Sequence, residues 1–217
     1  MNISLRNCGK NFHRTWLFRG LSMNIVVDPL HPARIAILGP NGSGKSTLCL
    51  LLLGQISPTE GEVVWQDING SIIDSSRWHN YISMTSPAME LPEEFSLEEW
   101  FVFHQTIKGF AKGVSLHQFM DLCEFSKETA TKTLLTFSSG MKQRVKLCMA
   151  ALGVEPVVVL DEPLTNLDES GIVLYHHLYS EFLSHKTVVV ASNRPDEYRF
   201  CNQFYTLGES QLLPANP

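Results

Sequence analysis

Residues 34–54, which read RIAILGPNGSGKSTLCLLLLG, predict the fold of this chain. The short apolar run at 34–38 indicates a buried strand, and the leucine-rich run at 47–53 suits a buried helix that Gly54 and Pro58 end. The glycine-rich turn between them fits the pattern G-x-x-x-x-G-K-[ST]. Because that pattern binds phosphate only between a strand and a helix, its position here favours a phosphate-binding loop over a chance glycine-rich turn.

This loop has the residue types that a nucleotide phosphate requires. Its glycines allow successive backbone N–H groups to point at phosphate oxygens, and the next helix adds its positive N-terminal end. Lys45 is expected to reach the β- and γ-phosphates, and Ser46 to ligate Mg²⁺. The predicted nucleotide-contacting residues are Gly39, Pro40, Asn41, Gly42, Ser43, Gly44, Lys45, Ser46 and Thr47.

A second group of candidate residues follows the apolar run at 157–160. Asp161 is placed to hold Mg²⁺ through its waters. Glu162 comes next and points elsewhere, because successive residues near a strand end alternate in direction, so it can act as the general base on the attacking water. A plain turn is the alternative reading of this carboxylate pair, and the phosphate loop favours the catalytic one.

The remaining chain predicts an α/β protein. Near-continuous apolar strands alternate with helices, which indicates a parallel sheet covered on both faces. The residues from 87 to 150 lack a convincing strand and read as a helical insertion, in which Ser96 and Glu99 match a capping box. The other predicted strands are 3–5, 21–27, 62–65, 187–191 and 204–207, and the other predicted helices are 97–107, 116–123, 129–135 and 170–183.

Composition excludes several classes of protein. The chain has 217 residues, 44% of them hydrophobic and 18% charged, which is typical of a globular protein of one domain. Its net charge of -5 argues against a nucleic-acid binder with a broad basic face. No apolar run approaches the length of a membrane span, and the N-terminus has no signal-peptide pattern. Five scattered cysteines make a disulfide framework or zinc site improbable and favour a reducing cytosol.

Residues 137–144, Phe-Ser-Ser-Gly-Met-Lys-Gln-Arg, resemble the signature of the ATP-binding-cassette (ABC) ATPases, which is usually Leu-Ser-Gly-Gly-Gln before a basic helix. The resemblance extends over nearly the whole chain. It implies a P-loop NTPase fold, with a parallel-sheet core, an N-terminal antiparallel β subdomain and an inserted helical subdomain. We therefore expect one ABC ATPase domain over 1–217, with the core and β subdomain in 1–86 and 151–217 and the helical subdomain in 87–150.

The resemblance also implies a function. The chain is expected to bind and hydrolyse ATP with Mg²⁺ as a subunit of an ABC transporter, without binding nucleic acid. Two copies, expected to form a homodimer, would sandwich ATP head to tail, with Ser138, Ser139 and Gly140 of one copy contacting the γ-phosphate held by the other. A separate transmembrane permease would hold the dimer at the inner face of the cell membrane, on its cytoplasmic side, with loop 86–95 as a candidate docking surface or, alternatively, an inward-packed helix entry.

Three further features follow from the resemblance. The loop 164–168 matches the segment that touches the partner subunit, although Asp168 is also suited to cap the next helix. Phe12 aligns with the aromatic residue that stacks on adenine, and Trp16 is the alternative. The basic residues of the signature helix, Lys142, Arg144 and Lys146, are interpreted as a solvated helix flank.

Two positions depart from the family pattern. Asn193 stands where a histidine contacts the γ-phosphate, and it can donate a hydrogen bond but has no titratable proton. Ser86 stands where a glutamine senses Mg²⁺. These departures leave nucleotide binding intact but place the hydrolysis rate in question. They motivate an alternative function, a nucleotide-dependent dimerising switch with little turnover.

Overall fold

The computed structural model describes residues 1–111, 113–208 and 212–214. The chain forms two compact units. The first, here called the sheet unit, comprises Met1–Met84, Pro156–Asp161 and His185–Pro217. The second, here called the helical unit, comprises Thr85–Glu155 and Glu162–Ser184.

A six-stranded sheet lies at the centre of the sheet unit, in the order β5-β6-β7-β3-β8-β9. Strand β3 pairs in parallel with both β7 and β8, β7 pairs in parallel with β6, and β9 is antiparallel to β8. The strands are β3 (Arg34–Leu38), β5 (Ile82–Thr85), β6 (Val157–Asp161), β7 (Thr187–Ala191), β8 (Gln203–Leu207) and β9 (Leu212–Pro214). The predicted parallel sheet is therefore confirmed, and β3 and β7 have the predicted bounds.

The register of this sheet aligns the ends of three strands. Asp161, the last residue of β6, lies opposite Ala191, the last residue of β7, and Ala191 lies opposite Ile37 of β3. All five residues of β6 and of β7 are buried, which explains their uninterrupted apolar sequence. Asp161 and Ala191 therefore lie at the edge of the sheet where the loop after β3 begins.

A second, three-stranded sheet confirms the expected antiparallel β subdomain. It has the order β2-β1-β4, with β1 (Asn2–Phe12) paired antiparallel to β2 (Thr15–Val26) and to β4 (Glu60–Gln66). Helix α1 (Lys45–Leu52) connects β3 to β4, and the 3₁₀ helix Ser75–Asn80 lies between β4 and β5. The short helix α6 (Pro195–Tyr198) follows β7. Trp78 of the 3₁₀ helix stacks on Trp65 of β4, with ring centroids 5.2 Å apart, in the buried core.

The described residues of the helical unit form four α-helices. They are α2 (Leu97–Ile107), α3 (Leu116–Leu122), α4 (Ser139–Leu152) and α5 (Glu169–Leu178), and α5 continues into a π-helical turn at Tyr179–Leu183. The predicted capping box of Ser96 and Glu99 is present at the start of α2, and Ser115 and Gln118 form a second one before α3. Within the described part of residues 87–150, extended pairing is limited to isolated bridges.

The helix predicted at 129–135 is wrong. The chain forms two single 3₁₀ turns there, Lys127–Thr129 and Leu134–Thr136. Between them the backbone is extended at Thr133 and bridges to Ser96, and the N–H of Leu97 donates to Lys132 O. These hydrogen bonds to the segment before α2 replace those of a helix, and the β-branched threonines of this stretch favour the extended form.

Candidate functional site

The glycine-rich loop between β3 and α1 has the backbone that its sequence predicts. Gly39 and Gly44 adopt φ values of 144° and 101°, in the region that favours glycine. A Cβ atom on Gly39 would lie 2.6 Å from Leu207 O, and one on Gly44 would lie 2.7 Å from Leu17 Cδ2. These positions therefore require glycine for both conformation and space.

Lys45, the first residue of α1, points into the curve of this loop. Its side chain is buried, and its ammonium group donates to Gly39 O at 2.7 Å and to Pro40 O at 3.3 Å. The Ser43 hydroxyl is also buried and has no hydrogen-bond partner among the residues that the structure describes. An inward ammonium, an unused hydroxyl and a helix N-terminus together fit a bound phosphate chain.

Asp161 lies close to the same loop. It is buried at the end of β6, and α1 packs against that strand. One helical turn after Lys45, the Cys49 thiol lies close enough for both charges to act on it. Burial and the Asp161 carboxylate raise the pKa of Cys49 well above its usual value, which Lys45 partly offsets. One carboxylate close to the helix that begins with Lys45 and Ser46 is a donor set that fits Mg²⁺ bound to a phosphate chain.

Asn193 lies two residues beyond β7, at the same edge of the sheet. Its Oδ1 accepts a hydrogen bond from the backbone N–H of Gly39 at 3.1 Å, and its Nδ2 lies 3.5 Å from Asn41 Oδ1. The sheet unit thus brings together the loop 39–47, Asp161 and Asn193. The contact between Asn193 and the loop is not evident from sequence, because 154 residues separate Asn193 from Gly39.

Glu162 starts the second part of the helical unit and has a left-handed backbone with φ of 44°. This conformation is costly for a residue with a Cβ and is concentrated at functional sites. The side chain is exposed, and its carboxylate accepts a hydrogen bond from the Thr165 hydroxyl at 3.5 Å. The positive φ turns the chain sharply after β6.

The signature residues begin helix α4. Ser138 is the N-cap, and its hydroxyl accepts a hydrogen bond from the Met141 N–H at 3.2 Å. A Cβ on Gly140 would lie 2.9 Å from the backbone oxygen of Asn166, so glycine is required for this close approach. A cavity of about 570 Å³ opens here, and the residues lining it include Ser126, Ser138, Ser139, Gly140, Arg144, Asn166 and Asp168. The helical unit thus places the signature and the loop 164–168 around one cavity.

The interpretation of the basic residues of α4 as a solvated flank is wrong for Arg144 and Lys146, which are buried, while Lys142 is partly exposed. Arg144 is 9% exposed, and its guanidinium pairs with Glu124, with Asp168 at 2.7 Å, and with Ser170. Asp168 is the N-cap of α5, as the alternative reading expected, and accepts from the Gly171 N–H at 2.9 Å. That hydrogen bond, and secondly Arg144, lower the pKa of Asp168.

Ser86 is buried at the start of the helical unit. Its hydroxyl accepts a hydrogen bond from the Ala88 N–H at 3.2 Å. This local turn uses one lone pair of the Ser86 hydroxyl. Of the loop 86–95, Leu91 packs inward, as the helix-entry alternative expected, while Met89 is 40% exposed.

Phe12 and Trp16 lie in the hairpin that joins β1 and β2. Phe12 is 48% exposed, and the Lys10 ammonium lies 5.2 Å from its ring centroid. Trp16 is more covered, because the Arg19 guanidinium lies 4.1 Å from its ring centroid and Gly9 contacts its edge. Phe12 is therefore the more accessible of the two candidate adenine-stacking rings.

Comparison with known sequences gives relatives of one kind. Residues 24–165 match the family described as ABC transporter. The chain is 30% identical over 206 residues to ABC transporter A family member 4 of Dictyostelium discoideum. This match covers 90% of the chain but 12% of that protein. It is 26% identical over 217 residues to Nod factor export ATP-binding protein I of Burkholderia orbicola, which covers 97% of this chain and 69% of that protein.

Solved structures share the fold. The dimeric structure of MJ0796, a bacterial ABC transporter cassette, has a TM-score of 0.79 at 21% identity, covering 97% of this chain and 96% of that one. A post-hydrolysis state of the same cassette, bound to ADP and Pi, has a TM-score of 0.75 and covers 99% and 98%. Among the residues that the structure describes, no helix could cross a membrane. From its phosphate loop, its fold and its matched residues, this chain belongs to the ABC transporter family as an ABC ATPase cassette.

Proposed function

We propose that this chain binds and hydrolyses ATP in a head-to-tail homodimer that drives a separate membrane permease. The division of its nucleotide-contacting groups into two half-sites carries this proposal. The sheet unit supplies the loop 39–47, Asp161 and Asn193, and the helical unit supplies the polar cavity at Ser138–Gly140. A second copy completes each site by adding the N-terminal end of its α4 to the phosphate loop of the first.

The chain's own residues define the binding half-site. The loop N–H groups and the Lys45 ammonium neutralise and orient the β- and γ-phosphates, and Phe12 stacks on adenine with Trp16 as the alternative ring. Ser46 and Asp161 would hold Mg²⁺, which would neutralise charge on the β- and γ-phosphates. Because Lys45 in the isolated chain donates to Gly39 O and Pro40 O, its ammonium is already directed into the cradle.

Glu162 accepts the proton of the attacking water. Its exposed carboxylate is held in a defined orientation by a left-handed backbone and by Thr165. Asn193 places a side-chain amide at the loop and orients groups around the γ-phosphate, but it cannot take up or release a proton. Hydrolysis is therefore expected to depend strongly on Glu162 and to be slower than with a histidine at 193.

The second candidate is a dimerising switch with little turnover. Two observations favour it: the Asn193 amide is engaged by Gly39, and the Ser86 hydroxyl is engaged by Ala88. In the switch, Asn193 does not carry a proton as the family's histidine would, and Ser86 does not contact Mg²⁺ as the family's glutamine would. The two functions share ATP-dependent dimerisation and differ in the rate of phosphate release.

A surface of the helical unit supports the permease contact. Exposed apolar side chains on α2 include Phe103 at 44% and Ile107 at 63%, and Phe103 stacks on Phe95 with centroids 5.8 Å apart. The adjoining segment 89–99 contains five glutamates and no lysine or arginine. We expect this α2 surface, defined by Met89, Phe95, Val102, Phe103 and Ile107, to bind a basic, amphipathic permease segment at the inner face of the cell membrane.

ATP hydrolysis and dimerisation test the proposal on the purified chain. Wild type is expected to release phosphate steadily, while Glu162→Gln releases at least 100-fold less and forms a dimer in ATP by light scattering. Glu169→Gln, which changes an exposed glutamate at the start of α5, is the matched control and should hydrolyse like wild type. Wild-type release no faster than that of Glu162→Gln supports the switch, and a monomer in ATP contradicts both functions.

Membrane association tests the permease contact. In its own cells, the fraction of the chain that sediments with membranes should fall severalfold in Phe103→Glu, because a carboxylate is costly to bury in an apolar interface. Val173→Glu, at a 68% exposed valine on α5, is the control and should sediment like wild type. Equal sedimentation of the two variants would place the contact elsewhere.

A further inference from the structure

Lys146 of helix α4 makes an unusual set of contacts for a buried cation. It is 9% exposed, and its ammonium donates to three backbone carbonyls of one loop: Ser86 O at 2.7 Å, Met89 O at 3.1 Å and Pro87 O at 3.4 Å. An ammonium has three donors, so these carbonyls use all of them. No carboxylate of the described residues pairs with this ammonium.

Loop 86–89 is therefore wrapped around a side chain of α4. Its internal hydrogen bonds are short-range, from Ala88 N–H to the Ser86 hydroxyl and from Met89 N–H to Ser86 O at 3.2 Å. The carbonyl oxygens of Ser86, Pro87 and Met89 all point at the Lys146 ammonium. Because converging carbonyl dipoles repel each other unless a cation lies between them, the ammonium is what holds the loop in this shape.

The same helix carries the signature at its N-terminal end. Ser138 caps α4, and Lys146 follows Ser139 by about two turns, which is about 10 Å along the axis. The residues of α4 from Gln143 onward are buried, and Gln143 Nε2 donates to Pro163 O at 2.9 Å, in the loop just after Glu162. A helix packed in this way moves as a rigid rod, so a side chain fixed near its middle follows its N-terminus.

We propose that Lys146 is a positioning residue that fastens loop 86–89 to α4, so that nucleotide engagement at Ser138–Gly140 is transmitted to this loop, and the reverse. The inference rests on the proposed function, in which the loop adjoins the permease-binding surface. In this inference, the nucleotide site is coupled to loop 86–89 by the hydrogen bonds between the Lys146 ammonium and the loop carbonyls. Ser86, whose hydroxyl is occupied by Ala88, has no need to reach the metal for the loop to respond.

Hydrogen exchange of the purified chain without nucleotide tests the fastening. Lys146→Met keeps the apolar length of the side chain but removes the ammonium, so exchange in the peptide 86–91 is expected to quicken at least tenfold. Lys146→Gln, which keeps an amide donor, should give a smaller increase. Lys142→Met is the matched control, because Lys142 lies one turn earlier on α4 and pairs with the Glu93 carboxylate rather than with loop 86–89.

Unchanged exchange at 86–91 in Lys146→Met, or a similar increase in Lys142→Met, would overturn the fastening. An equal increase at 39–47 in a folded variant would also overturn it, because that loop belongs to the sheet unit. If Lys146→Met does not fold, Lys146→Gln decides by the same criteria.

A second measurement tests the transmission, in the Glu162→Gln background that retains bound ATP. Adding ATP is expected to slow exchange at both 138–142 and 86–91. With Lys146→Met added, the slowing should persist at 138–142 and be lost at 86–91. A response at 86–91 that survives this substitution contradicts the inference. No response at 138–142 with Lys146 intact contradicts the proposed dimer instead, and the nucleotide-free comparison then still decides the fastening.

Discussion

The side-chain oxygen of Asn193 accepts a hydrogen bond from the backbone N–H of Gly39 at 3.1 Å. It joins the residue that departs from the family's histidine to the first glycine of the phosphate loop. Asn193 thereby contacts the loop, and in the proposed function it also lies near the γ-phosphate. The two roles can be separated by one substitution that removes the hydrogen-bond acceptor and another that keeps an acceptor and adds a titratable proton.

Asn193→Ala is expected to weaken ATP binding by about fivefold, because the lost hydrogen bond to Gly39 is worth about 1 kcal/mol. Asn193→His should keep ATP affinity within severalfold and raise turnover, since imidazole can carry a proton. Titration of a fluorescent ATP analogue and phosphate release give the two quantities. Asn202→Ala, which removes an exposed side chain elsewhere in the sheet unit, is the control. Wild-type affinity in Asn193→Ala would show that the loop does not need this contact.

Two glycines of the phosphate loop, Gly42 and Gly44, should differ in their tolerance of alanine. Gly42 has φ of 82° with open space around it, so Gly42→Ala should destabilise by about 1–2 kcal/mol through backbone strain alone. Gly44→Ala adds a 2.7 Å contact with Leu17, and overpacking costs about 1–3 kcal/mol more. Thermal unfolding should therefore give a lower Tm for Gly44→Ala than for Gly42→Ala. Equal Tm values would mean that Leu17 yields without cost.

Acid should destabilise the helical unit through Asp168. Its folded-state pKa is lowered by the Gly171 N–H and then by Arg144, so its stabilising contribution is complete above the unfolded pKa and is lost as pH falls through the folded pKa. The loss is expected below about pH 4, where an ordinary aspartate titrates. Asp168→Asn keeps an N-cap but no charge, so its Tm should fall less steeply over that range. Parallel Tm-against-pH curves for the two proteins would contradict this assignment.

Ser86 is expected to have no direct metal role. In Ser86→Ala, the Mg²⁺ concentration that gives half-maximal hydrolysis should stay within about twofold of wild type, because the buried hydroxyl bonds to Ala88 N–H. Stability should fall by about 1–3 kcal/mol, since that N–H loses its partner. Ser46→Ala is the positive control and should raise the Mg²⁺ requirement at least tenfold. An equal rise in Ser86→Ala would restore Ser86 as a metal contact.

Local sequence was sufficient for most of the fold. Strands β3 and β7 and helix α2 have the predicted bounds because their apolar period, glycine boundaries or capping box act within a few residues. The predicted helix at 129–135 failed because its backbone bonds to residues near 96, which local preference does not register. Strand β5 was missed because its four residues are too few to give a clear pattern.

For the site, the sequence by itself determined which residues are candidates: the loop 39–47, Asp161 and Glu162 follow from residue type and short spacing, and the signature at 138–140 follows from its resemblance to the family motif. The tertiary structure decided which distant groups meet. It brought Asn193 into contact with Gly39, Arg144 with Asp168, and Lys146 with loop 86–89. The sequence had not predicted any of these three contacts. The physical reason is that a hydrogen bond depends on atoms within about 3 Å, and only the packing of sheet and helices brings such atoms together across many residues of chain.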